Sequence, residues 1–279
     1  MSSYSDSEES PLLPDQRRLD LRSLPKLPGE VFNLGRATLP ISASFALQNI
    51  VQAFSIMMAG TLGSSELDIA SYGFMFATCT GSMVAIGGAT ALDTLCGQAV
   101  TSTKALNDPT TLGRHLQQSL VVLSLIFFVL ITPLWLVSGR IFVALGQKTR
   151  FALGIGRFLR LMIPAGYFQM VAESLKKFCQ VQGDSYAVGW ITGAVALIGM
   201  ISNVGFVRLP ALGDAGVPLA FLLYQVCTVV FLVCLVVQSR RVKPTIKLIL
   251  TFNELRFGII ANLSLAITGI LTIATEWWR

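Results

Sequence analysis

Seven apolar runs, each near the ~20 residues a helix needs to cross the hydrocarbon of a bilayer, leave this 279-residue chain few ways to fold. They occupy residues 37–59, 69–92, 116–138, 151–175, 186–207, 216–237 and 257–275. Composition agrees, since 53% of residues are hydrophobic and 13% charged, far from an ordinary globular domain. The expectation is an all-α, polytopic membrane protein with about seven transmembrane helices. The fourth run is the weakest, because Arg157 and Arg160 leave only Leu161 to Ala172 uncharged. Such a span needs arginines that snorkel to the interface or shelter inside a bundle. Pro164 within it predicts a kink.

Orientation follows from Lys and Arg in short loops, which collect on the cytoplasmic side. With the N-terminus inside, the cytoplasmic segments hold 14 of the 21 basic residues, among them Arg17, Arg18, Arg22, Lys176, Lys177, Arg240, Arg241 and Lys243. The first external loop, residues 60–68, carries Glu66 and Asp68 and no cation, whereas Arg140, Lys148 and Arg150 in the second run against the assignment. These flanking cations account for the net charge of +6, so no nucleic-acid partner is expected and the lipid bilayer is the partner implied.

Residues 1–34 are rich in Ser, Asp, Glu, Pro and Arg and have no periodic apolar face, which predicts a disordered cytosolic tail. No signal peptide is expected, since no apolar core follows the first Met. Within the tail, Glu8 with Leu12 and Leu13 fits an acidic dileucine sorting signal. Read so, it directs the protein to a vacuolar or lysosomal-type membrane rather than the plasma membrane; the competing reading is a solvated tail with two incidental leucines. The five cysteines form no CxxC pair and read as small apolar fillers. A single histidine, His115, removes multi-histidine metal chemistry, so neither a metal nor a cofactor is expected. Gly189 and Gly193 form a GxxxG that marks close helix packing.

A carboxylate, a hydroxyl and an amide close the second run, at Asp93, Thr94 and Gln98. An ionisable residue near membrane depth is a functional candidate unless it serves helix-end packing at the interface. The string Ala91-Leu92-Asp93-Thr94-Leu95-Cys96-Gly97-Gln98-Ala99 resembles the second-helix signature of eukaryotic MATE (multidrug and toxic compound extrusion) transporters. The likeness extends over most of the chain from Arg36 onward. Pro40 with Leu47-Gln48 is similar to the family's first helix, and Gly113-Arg114-His115-Leu116-Gln117 to the start of its third. Glu173-Ser174-Leu175-Lys176-Lys177-Phe178 resembles the fourth helix of fungal members, Ser202-Asn203 the fifth, and Thr275-Glu276-Trp277-Trp278 the seventh.

The resemblance implies two six-helix lobes around a central cavity, with residues 35–238 as the first lobe, 239–256 as a cytosolic linker and 257–279 as the first helix of a truncated second lobe. It implies no enzyme but a secondary active antiporter, exporting small organic or xenobiotic compounds in exchange for protons. A carboxylate in a low-dielectric cavity has its charged form disfavoured and so can carry a proton, and rocking of the lobes then alternates access. By this resemblance Glu276 is the proton-coupling carboxylate, and Gln48, Asn49, Asp93, Thr94, Gln98 and Asn203 are polar cavity lining. The competing reading of Glu276 is interfacial snorkelling beside Trp277, Trp278 and Arg279, which a truncated chain favours. Glu173 reads first as an i to i+3 or i+4 partner of Lys176 and Lys177. The alternative function is a non-transporting half-lobe that pairs with a second lobe or regulates another chain. A seven-helix receptor or membrane hydrolase is disfavoured by the cytosolic N-terminus, the single histidine and the lack of an external glycosylation sequon.

Overall fold

The computed structural model describes residues 27–101, 110–209, 212–239, 242–245 and 252–277. Two compact units divide the chain, residues 1–38 and 39–279. Seven helices follow one another among the described residues: α1 (Leu27–Gly60), α2 (Ser64–Ala77 and Met83–Thr101), α3 (Thr110–Ile126 and Thr132–Ala144), α4 (Thr149–Val181), α5 (Ser185–Arg208), α6 (Gly216–Gln238) and α7 (Phe252–Trp277). Five stretches, Thr38–Gly60, Ser64–Val100, Thr110–Ala144, Ser185–Arg208 and Gly213–Gln238, are long and apolar enough to cross a membrane. Helix α4 is long enough but not apolar enough to be among them, and the apolar part of α7, Asn262–Glu276, is shorter. The chain is an all-helical, multi-pass membrane protein.

Two boundaries differ from the sequence expectation. Helix α1 begins at Leu27, inside the segment expected to be a tail. Pro28 does not oppose this, because the first turn of a helix has no use for its missing N–H. Helix α7 begins at Phe252, inside the expected linker. Within that connection Ser239 Oγ donates to Asp184 Oδ2 at 2.6 Å and Thr245 Oγ1 to Gln182 Oε1 at 3.3 Å, so it is tied to the turn between α4 and α5. Glu8, Leu12 and Leu13 lie outside the described residues.

Each of α2 and α3 is one continuous helix with a π turn at its middle, Thr78–Ser82 and Phe127–Ile131. The Met83 N–H reaches back five residues to the Thr78 carbonyl, and the Thr132 N–H likewise to Phe127. In α3 the cause is Pro133, which has no N–H to give the Val129 carbonyl and whose ring would press on it; widening the turn relieves both. The α2 bulge has no proline nearby. Its residues are Thr78, Cys79, Thr80, Gly81 and Ser82, and bulges of this kind recur at functional sites.

Helix α4 is the axis of the bundle, packed against α2, α3 and α6. Ala152, Ile155, Leu159, Ala165, Met170, Phe178 and Cys179 along it are fully buried. The weak fourth span is thus sheltered within the bundle, and its arginines occupy the exposed face: Arg157 pairs with Asp214 at 3.3 Å, and Arg160 Nε donates to the Gly156 carbonyl at 3.0 Å. Aromatic rings fill the neighbouring core, with Phe74 edge-on to Phe158 and to Phe221 at 5.3 and 5.2 Å, geometry that suits the ring quadrupoles. Outward-facing Leu125, Phe128, Val129, Leu130, Leu197 and Ile201 are exposed, which suits a lipid-facing surface and not a watery one.

Helix α7 crosses α2 and α3. At the crossing a Cβ on Gly87 would lie 2.6 Å from the Ile270 Cα, and one on Gly269 would meet the Gly87 carbonyl, so only glycine permits this approach. Asn262 Nδ2 donates to Gln118 Oε1 at 3.2 Å in the same interface, both residues buried. Close glycine contact together with an interhelical amide bond is how helices associate where lipid removes the hydrophobic drive between them.

Candidate functional site

A cavity of about 230 Å³ opens between α1, α2 and α4, lined by Phe45, Gln48, Asn49, Gln52, Thr78, Ser82, Ile86 and Gln169. Two polar pairs spaced i to i+4 build much of it, Gln48 with Gln52 on α1 and Thr78 with Ser82 across the α2 bulge, and Gln169 joins them from α4. That spacing puts each pair on one helix face. Gln52 Nε2 donates to Thr78 Oγ1 at 3.1 Å and Gln169 Nε2 to Ser82 Oγ at 3.0 Å, so each bond joins a different helix to the bulge. Beside it Thr80 Oγ1 donates to the Phe76 carbonyl at 2.7 Å and accepts from Trp135 Nε1 at 2.9 Å. The bulge is thus held from α1, α3 and α4 at once.

Beneath the cavity, α4 presents two adjacent lysines to two different helices. Lys176 Nζ donates to Glu173 Oε1 at 2.9 Å and to Gln48 Oε1 at 3.2 Å. Lys177 Nζ donates to Asp93 Oδ2 at 2.7 Å, a pair with side chains 18% and 36% exposed. The Glu173–Lys176 pair is 2% and 6% exposed. A gap of about 10 Å³ lined by Ser44, Phe45, Gln48, Glu173, Lys176, Lys177 and Gln180 separates this layer from the cavity. Two ion pairs thus stand next to the cavity wall, one joined to α1 through Gln48 and one to α2 through Asp93.

Of the residues singled out in the sequence, the structure brings Gln48 and Asn49 to the cavity wall. Asp93 sits in the ion-pair layer below. Thr94 lines a different space of about 260 Å³ between α2 and α7, with Thr90, Thr268 and Thr272. Gln98 is exposed near the end of α2. Asn203 is fully buried on α5 and lines neither cavity; its Nδ2 donates to the Gly199 carbonyl at 2.9 Å, while its Oδ1 has no hydrogen-bond partner. Glu276 is exposed near the end of α7 and lines neither cavity.

Sequence reading missed Gln52, Thr78, Ser82 and Gln169, and it assigned Lys176 to a solvated flank where the structure buries it at 5% exposure. The missed signal was the i to i+4 recurrence of polar groups inside apolar helices. Glu173 pairs with Lys176 at i+3 as expected, but Lys177 turns to α2 instead.

Comparison with known proteins places this geometry. The MatE family profile matches residues 40–204. Protein DETOXIFICATION 16 of Arabidopsis thaliana is 31% identical over 241 residues, 86% of this chain and 48% of that protein. An uncharacterized transporter of Schizosaccharomyces pombe is 29% identical over 243 residues, 86% of this chain and 43% of its own. Among solved structures, the eukaryotic MATE transporter AtDTX14 superposes with a TM-score of 0.83 at 26% identity, covering 90% of this chain and 55% of that one. A MATE structure in the bent conformation shares the fold at a TM-score of 0.71 and 14% identity. The chain spans about half the length of the curated relatives it matches.

Proposed function

The chain belongs to the MatE family, a family of transporters rather than enzymes, and from that premise we propose that helices α1–α6 form one lobe of a secondary active exporter of small organic or xenobiotic compounds. The observation that carries the reading is the cavity between α1, α2 and α4, whose wall gathers four side-chain amides and two hydroxyls inside a bundle of apolar helices. Polar groups in hydrocarbon are costly unless they line a water-filled or ligand-filled space, and this space suits a transport path. Transport takes a second lobe facing this one, on the same polypeptide or on another. In that assembly Glu276, at the end of α7, is the coupling carboxylate and the exchanged ion is a proton. The N-terminal tail faces the cytosol, and Glu8, Leu12 and Leu13 direct the protein to a vacuolar-type membrane.

The test is efflux from vesicles that carry the chain together with a second lobe, loaded with a fluorescent organic cation and given an imposed proton gradient. Expected is gradient-driven efflux whose proton dependence disappears in Glu276→Gln. Proton-driven efflux that ignores Glu276→Gln would remove the assigned role of that carboxylate. Absence of efflux with the second lobe present would favour the alternative of a non-transporting lobe that regulates another chain.

A further inference from the structure

We propose that the α1–α2–α4 cavity is a subsite for an uncharged, hydroxyl-bearing group, of the size of one sugar ring, carried by the substrate. Its wall holds amides and hydroxyls and no ionisable side chain. The nearest charges are used up in pairs, Glu173 with Lys176 and Asp93 with Lys177. A charged group entering the cavity would lose its hydration and find only dipoles in return. An ionised group suffers far more from that exchange than a hydroxyl does.

The hydrogen-bond inventory sharpens the assignment. An amide offers one carbonyl acceptor and an NH2 with two hydrogens, and an ammonium can only donate. The contact with Lys176 therefore fixes the oxygen of Gln48 on the ammonium, which leaves its NH2 as a donor for other partners. Asn49 Nδ2 donates to the Phe45 carbonyl at 3.0 Å, which leaves Oδ1 as an acceptor. Gln52 and Gln169 give their NH2 groups to Thr78 and Ser82, leaving two more carbonyl oxygens and two hydroxyl hydrogens. The wall thus offers both acceptors and donors at no net charge. A hydroxyl is both donor and acceptor, and several on one ring match such a wall.

Phe45 and Ile86 supply apolar surface for the C–H face of that ring. The volume of about 230 Å³ is below the ~300–1,000 Å³ of pockets for drug-sized ligands, so the lobe holds a group and leaves the remainder of the molecule to the facing lobe. The proposal rests on the cavity belonging to the transport path. Binding measured without any gradient keeps the two readings distinguishable.

The experiment uses the chain in lipid nanodiscs and three fluorescent probes that share one aglycone: methylumbelliferyl glucoside, which is neutral, the anionic glucuronide and the cationic glucosaminide. The glucoside is expected to bind roughly tenfold more tightly than either charged probe. Gln52→Leu and Gln169→Leu each remove one amide at similar volume and should weaken glucoside binding by about five- to tenfold, the size of one neutral hydrogen bond. Gln52→Glu places a carboxylate on the wall and should reverse the order in favour of the glucosaminide; that gain of binding also shows the variant folded. Equal or tighter binding of a charged probe by the unaltered chain would overturn the proposal. So would failure to bind the glucoside, or glucoside binding indifferent to both Leu variants. Glucoside binding with the expected Gln dependence, in a chain that gives no efflux beside a second lobe, would keep the subsite and retire the transport reading.

Discussion

Helix α4 carries an ion pair in each half, and the two stand in opposite surroundings. Toward its start Arg157 meets Asp214 at 3.3 Å with side chains 64% and 50% exposed. Toward its end Lys176 meets Glu173 at 2.9 Å with side chains 6% and 2% exposed, and a second acceptor, Gln48, reaches in from α1. The chemistry is nearly the same and the consequences are not. Exposed pairs gain little because solvent screens them and two long side chains lose freedom. A buried pair has given up its hydration entirely, so each partner depends on the other. Lys177 with Asp93 lies between these limits and calibrates the contrast.

The largest effect is expected from splitting the buried pair. Glu173→Leu or Lys176→Met should each destabilise the lobe by about 3–5 kcal/mol, since each strands one charge, and thermal unfolding in nanodiscs would read it. Combining the two should recover most of the loss; a double variant no better than the singles would mean the residues are not one unit. Next comes Gln48→Leu, which takes the second acceptor from a buried ammonium and should lower stability by about 1.5–3 kcal/mol, the range for hydrogen bonds to charged groups. Asp93→Asn keeps an oxygen for Lys177 but removes the charge at a half-exposed site. A loss of about 1–2 kcal/mol is expected, and a loss equal to that of Glu173→Leu would erase the gradation by burial. Smallest is Arg157→Gln, below about 1 kcal/mol, with the difference vanishing as ionic strength rises toward ~1 M. Salt dependence at Lys176 instead of Arg157 would invert the comparison.

These contrasts show where sequence reading reached and where it stopped. Lys176 and Lys177 are neighbours near the end of an apolar run, and in the chain they look alike. One lies in the bundle under a cavity and the other bridges toward a half-exposed carboxylate. Nothing local separates them, because a 100° step around the helix is enough to send adjacent side chains to different neighbours. Gln48 was legible as cavity lining, whereas Asn203 carries a similar amide in a similar run and lies at a helix interface.

What the sequence by itself determined is the solvent and the fold class. Twenty-residue apolar runs can satisfy their backbone in a bilayer as helices, whatever their neighbours do, and the string from Ala91 to Ala99 carried the family likeness later matched over residues 40–204. Only the tertiary structure decided which polar groups share a space. It set Gln52 against Thr78 and Gln169 against Ser82 at the α2 bulge, and Lys176 beneath Gln48. Those contacts join residues 26, 87 and 128 positions apart, and their partners follow from how α1, α2 and α4 pack. Helical periodicity names the face a side chain occupies; packing alone names what stands opposite it.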